Sequence, residues 1–214
     1  MNFILNIFNN AKKTNILLIF FSIYCFSLLL FRAKITNSTY LFFLIWNLFL
    51  AVIPYLISSF LIIKNNQILN KLALILLFFC WLLFLPNSFY IITDLVHIVR
   101  SSGNLFYLDL IIICSFATIG FILGLLSLEH FNFFLQHKIA IKNTTYIILI
   151  ICLLCGFGIY LGRILRYNSW DILSNPIELF IDLVTVAFTQ KSISFSILFG
   201  TFIYLSYLLK QTKI

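Results

Sequence analysis

Charge is almost absent from this chain, and that scarcity limits its fold more than any motif does. Only 9% of the 214 residues are Asp, Glu, Lys or Arg, against 63% hydrophobic, whereas soluble domains carry about 25% charged residues. So little polar surface cannot cover a water-facing globule. The apolar runs instead approach or exceed the roughly 18 to 20 residues that cross a hydrocarbon core. In lipid every backbone amide needs an internal partner, and runs of this length meet that need as helices. The expected fold is all-α, an integral membrane bundle forming one polytopic domain over residues 1–214. Six spans are predicted near 16–31, 40–63, 72–85, 107–128, 146–161 and 193–209.

The formal net charge of +8 does not point to nucleic acid, because the basic residues are spread over short inter-span segments with no cluster to track phosphates. They read as flanks that hold loops at an anionic leaflet. The lipid bilayer is therefore the expected partner, while the sequence identifies neither which protein partners nor which cofactors it has. All five cysteines fall inside predicted spans, which argues against a disulfide framework; Cys152 and Cys155 have redox spacing but no cationic neighbour to activate a thiol. The first apolar run follows Lys12 and Lys13 but ends in Phe31-Arg32-Ala33-Lys34 without a small-residue cleavage site, so it is expected to be retained as a span. Pro54 predicts a kink in the second span.

Polar groups appear in order at Pro86-Asn87-Ser88 through Arg100. At 3.6 residues per turn Tyr90, Thr93, Asp94, His97 and Arg100 share one face, opposite Phe89, Ile92, Val96 and Val99. Pro86 disfavours helical geometry at the residue before it, and Asn87 or Ser88 can cap a new helix, so a break is expected here. Residues 87–100 would then form a separate amphipathic helix at the interface. A second polar constellation runs from Gly162 to Asp171, where Arg163, Arg166, Tyr167 and Trp170 share a face if the helix continues. Asn175-Pro176-Ile177-Glu178 reads as a capped helix start, opening a second amphipathic segment over 175–189. His130 and His137 fall in an expected polar loop over 129–144, read as solvated rather than as a metal site.

Eight Lys and Arg residues flank the terminus-bearing side and six the other, which favours cytoplasmic termini. With six spans, both polar constellations must share one side. Asp94 and His97 are the candidate catalytic pair, their i, i+3 spacing letting both side chains meet one proton or one ion. Tyr90, Thr93, Arg100, Asp109, Arg163, Arg166, Asn168, Trp170 and Asp171 are candidate ligand-binding residues. Two arginine forks beside interfacial aromatic rings suit an anionic, phosphate-bearing or lipid-linked headgroup. The same charges could instead pair with one another and only fix helix register in an accessory or scaffold protein, and a solute transporter is a third alternative.

The chain resembles a bacterial multi-pass membrane family known as domain of unknown function 1361. Pro86-Asn87, Tyr90, Thr93-Asp94-Leu95, His97, Asp109, Gly162-Arg163, Arg166 and Asn168-Ser169-Trp170-Asp171 carry the resemblance, which extends over about residues 40–200. The family pattern often has proline where Phe89 stands. The resemblance implies an inner or plasma membrane protein and brings no activity, cofactor or catalytic residue with it.

Six spans require both termini to face the same compartment. A reporter active only in the cytoplasm should therefore work when fused to either end of the chain, and activity at only one end would refute the span count.

Overall fold

The computed structural model describes residues 2–63, 70–100, 105–167 and 171–212, and among these every regular element is helical. The chain runs through α1 (Asn2–Thr36), α2 (Phe43–Ile63) and α3 (Lys71–Tyr90), the last continuing as a 3-10 segment over Ile91–Arg100. Then come α4 (Phe106–His137) and α5 (Thr145–Tyr160), whose end is a π turn over Leu161–Leu165, followed by α6 (Asp171–Ser174), α7 (Pro176–Ala187) and α8 (Gln190–Gln211). Six segments are long and apolar enough to cross a membrane: 12–36, 43–63, 71–98, 106–137, 145–165 and 190–211. The protein is a multi-pass helical bundle.

α4 is its axis. A helix that is apolar all round belongs inside a bundle, and α4 is buried along most of its length. Its first half, through Ile112, Phe116 and Ile119, packs on Cys25 and Leu29 of α1 and on Leu44 and Leu48 of α2. Its second half, through Leu128, Phe131 and Leu135, packs on Trp81 and Leu85 of α3, on α5 at Ile148 and Ile151, and on Ile203 of α8. Trp81 stacks on Phe131 with ring centroids 4.0 Å apart, and its indole N–H donates to Ser127 Oγ at 2.8 Å. That pairing lets a polar ring atom enter the core.

Pro54 lies inside α2 as expected, and neighbouring hydroxyls serve the backbone around it. Ser88 Oγ donates to Ala51 O at 3.0 Å, and Ser127 Oγ donates to Pro54 O at 2.9 Å. Side chains on adjacent helices thus donate to backbone carbonyls within the proline-bearing stretch, tying α2 to α3 and α4.

Several expectations are corrected. α3 does not break at Pro86: it passes through the proline to Tyr90 and on into the 3-10 segment. Asn87 and Ser88 cap nothing, because the Asn87 amide donates back to Phe84 O at 3.1 Å and Ser88 reaches α2. Residues 87–98 therefore run on from α3 without a break, as part of one long apolar helical segment over 71–98. The loop expected over 129–144 begins only at Lys138, since α4 extends to His137. His130 lies against the Tyr55 ring at 5.3 Å and pairs with Ser59 Oγ at 3.1 Å, Glu129 pairs with Lys210, and His137 stacks on Phe133. At α7, Pro176 takes the first helical turn, but the Asn175 side chain makes no capping hydrogen bond.

Small residues explain how α3 carries a proline without breaking. A Cβ on Gly158 of α5 would lie 2.6 Å from Pro86 Cγ, and one on Gly124 of α4 would lie 2.6 Å from the Phe89 ring. α3 is thus seated between two glycine surfaces, the close approach that such residues allow in membranes. Gly158→Ala should cost about 1–3 kcal/mol by overpacking, read as a lower thermal midpoint in detergent. An unchanged midpoint would mean that α3 and α5 do not meet at Pro86.

Candidate functional site

The 3-10 winding decides which polar groups face which neighbours. At three residues per turn, side chains three apart eclipse. The stripe expected at 3.6 residues per turn therefore splits into two rows: Ile91, Asp94 and His97 in one, Tyr90 and Thr93 in the next. Ile91 is fully buried against Gly120 of α4, which turns Asp94 inward, while Leu95 and Val96 are exposed on the apolar side.

Asp94 is 1% exposed. Its Oδ2 accepts from the Asn47 amide of α2 at 2.8 Å, and its Oδ1 accepts from Arg163 Nη2, on the π turn, at 3.2 Å. The same guanidinium donates to the Thr93 carbonyl and, through Nη1, to Tyr90 Oη at 3.3 Å, with its Cζ 5.1 Å from the Tyr90 ring centre. Arg163 thus clasps both rows. Thr93 contributes its carbonyl only, since its hydroxyl donates to Tyr90 O at 2.6 Å. Gly162 lets the Tyr90 ring approach, because a Cβ there would lie 3.2 Å from it.

His97 Nε2 stands 3.9 Å from Asp94 Oδ1, within ion-pair range but beyond a hydrogen bond. On its other side Nδ1 lies 3.4 Å from Tyr40 Oη, and its ring packs 5.0 Å from Phe43. Tyr40 also faces Arg32, whose Cζ is 5.8 Å from its ring centre.

Arg32 forms the second ion pair of this end. It is 7% exposed and forks onto Asp109, with Nε to Oδ1 at 2.7 Å and Nη2 to Oδ2 at 3.2 Å. Asp109, expected as a ligand-binding residue, thus serves α1. Arg32 falls just past the predicted first span of 16–31, but α1 runs on to Thr36 and carries it inside. Arg32, Tyr40 and Asn47 are the site residues that periodicity around residue 94 did not find. The usable signals were an arginine and an asparagine close to the ends of apolar runs.

The remaining candidates stand apart. Arg166 does not prolong a helical face: it ends the π turn in the left-handed conformation, φ 63°, and its side chain is exposed. Asp171 opens α6 and accepts from Ser174 Oγ at 3.1 Å. Tyr167, expected to share a face with Arg166, instead donates to Asp182 Oδ2 of α7 at 2.7 Å, and this bond pushes its phenol up to about 12. Asn168 and Trp170 lie outside the described residues, as does the Arg100 side chain.

Asp109, Arg32, Tyr40, His97, Asp94, Arg163 and Tyr90 therefore form one run of polar contacts across α1, the turn before α2, α3 with its 3-10 segment, α4 and the π turn. The buried carboxylates need their cations, because a charge taken out of water without a partner costs several kcal/mol. Arg163 and His97 keep 21% and 22% of their side chains exposed. Asp94 thus holds two accessible basic groups from inside. Long 3-10 runs and π turns are both uncommon, and both recur at functional sites.

Among known families, one described as a protein of unknown function, DUF1361, matches over residues 46–206. The chain belongs to that family. No curated protein and no solved structure matches it. The matched range takes in Asn47, Asp94, His97, Asp109 and Arg163, and excludes Arg32 and Tyr40.

Breaking the central pair should be costly and removing it cheap. Arg163→Met alone should destabilise the protein by about 3–5 kcal/mol, and adding Asp94→Leu should recover most of that loss. Additive losses in detergent unfolding would show that the two side chains are not paired.

Proposed function

We propose that this family member binds an anionic headgroup, of the lipid-linked or polyprenyl phosphate type, at the outer surface of a bacterial plasma membrane with both termini in the cytoplasm. One observation carries the reading: two partly exposed basic side chains, Arg163 and His97, are held by one buried carboxylate at a bundle end where two spans leave α geometry together. Ionisable groups are expensive at that depth and are expected to serve a ligand or one another. Asp94 is the positioning residue, Arg163 presents the guanidinium, and His97 with Tyr40 offers a hydrogen-bonding edge. His97 Nε2 stands 3.9 Å from Asp94 Oδ1, and the reading rests on the binding of an anion rather than on a proton transfer between them. Arg166, exposed beside this end, is a peripheral attraction for the same headgroup.

A scaffold protein that binds a partner through close helix packing needs small-residue faces left open for it. Gly120, Gly124 and Gly158 are filled from within by Ile91, Phe89 and Pro86, which leaves that alternative less to stand on.

Replacing Arg163 by Lys keeps the charge and removes the fork. A strain carrying Arg163→Lys should show the same altered profile of phosphate-bearing lipids as a deletion strain, with normal amounts of the protein in the membrane. A variant profile identical to wild type would overturn the proposal.

A further inference from the structure

The two arginines of this end each engage two guanidinium nitrogens, but they differ in how the third is placed. Arg163 spends Nη1 on Tyr90 and Nη2 on Thr93 O and Asp94. Arg32 spends Nε and Nη2 on Asp109, and its Nη1 is buried without a hydrogen-bond partner among the described residues. A guanidinium has five donors and no acceptor. Leaving one of them unmet inside a protein costs the full desolvation of that group, so an unfilled position there stands out against an end where Asp94, Tyr90 and His97 are all engaged.

The surroundings indicate what fills it. The Arg32 guanidinium is 5.8 Å from the Tyr40 ring centre, and the Tyr40 hydroxyl is the group that meets His97. An acceptor on Nη1 is therefore one aromatic ring away from the proposed headgroup site. A phosphate carries several acceptor oxygens, and guanidinium is the cation best matched to them. We propose that Nη1 of Arg32 receives an anionic phosphoryl oxygen of the ligand, which makes Arg32 a direct ligand contact and Asp109 its positioning residue. This inference rests on the reading that the site takes an anionic group. It adds a contact from α1, outside the span of the family match, and it assigns Asp109 to holding the fork rather than to touching the ligand.

Binding of farnesyl phosphate to the full-length protein in detergent micelles tests it, with farnesol and inorganic phosphate as the comparison probes. Wild type should bind farnesyl phosphate and not farnesol. Competition by excess inorganic phosphate would identify free phosphate as a ligand of the same contact, and its failure to compete would identify the lipid-borne phosphate. Arg32→Lys should weaken binding roughly tenfold or more, the loss of a charge-assisted hydrogen bond. Because that variant also loosens Asp109, the pair replacement Arg32→Met with Asp109→Leu serves as a second probe. It removes both charges together, which leaves folding near neutral, and it should abolish binding while the thermal midpoint is retained. Wild-type affinity in the pair replacement, with loss in Arg163→Lys, would overturn the role of Arg32 and leave the headgroup site standing. No binding of either phosphate probe to wild type would overturn both.

Discussion

A carboxylate buried in a membrane end must be paired, and the placement of Asp94 organises the structure around that requirement. At 1% exposure it has no water to solvate it, so Asn47 from α2 and Arg163 from the end of α5 must both reach it. The 3-10 pitch after Tyr90 stacks Asp94 directly over the buried Ile91 and turns it inward. The π turn does the corresponding work on α5, ending that span with Arg163 in range of Tyr90, Thr93 and Asp94 together. Irregular winding and buried charge are two sides of one arrangement.

The rest of the bundle makes room for that meeting. α3 reaches the site intact only because Gly158 accepts Pro86 and Gly124 accepts Phe89. The hydroxyls of Ser88 and Ser127 tie the proline-bearing stretch of α2 to α3 and α4. At the far end of the spans, Glu129 with Lys210 and His130 with Ser59 fasten α4 to α8 and α2. Both ends are thus pinned by polar contacts across an apolar middle. Between helices in lipid, packing and hydrogen bonds have to do what the hydrophobic effect does in water.

Much of this was legible in the sequence, and the misses have physical causes. Six spans follow from apolar run length, and span parity alone brings residues 90–100 and 163–171 to one side. The split of the polar stripe was not legible, since assigning Tyr90 and Thr93 to the face of Asp94 and His97 assumes a pitch of 3.6. The false break at Pro86 came from a local rule applied without its partner: nothing near residue 86 announces a glycine 72 positions later. Arg32 was hidden by the neighbouring Lys34 and Asn37, which made the end of α1 look like a turn, and its partner Asp109 is remote in sequence. Glu129 and His130 looked like loop residues because their partners, Lys210 and Ser59, lie on other spans.

An experimental map of the protein in lipid nanodiscs, resolved well enough to trace the backbone, tests the central claim most directly through the rise of Ile91–Arg100. A 3-10 winding spreads these ten residues over about 20 Å, with the Asp94 carboxylate in contact with Asn47 and Arg163. An α-helical rise, close to 15 Å for the same segment, with Asp94 turned away from Arg163, would contradict it.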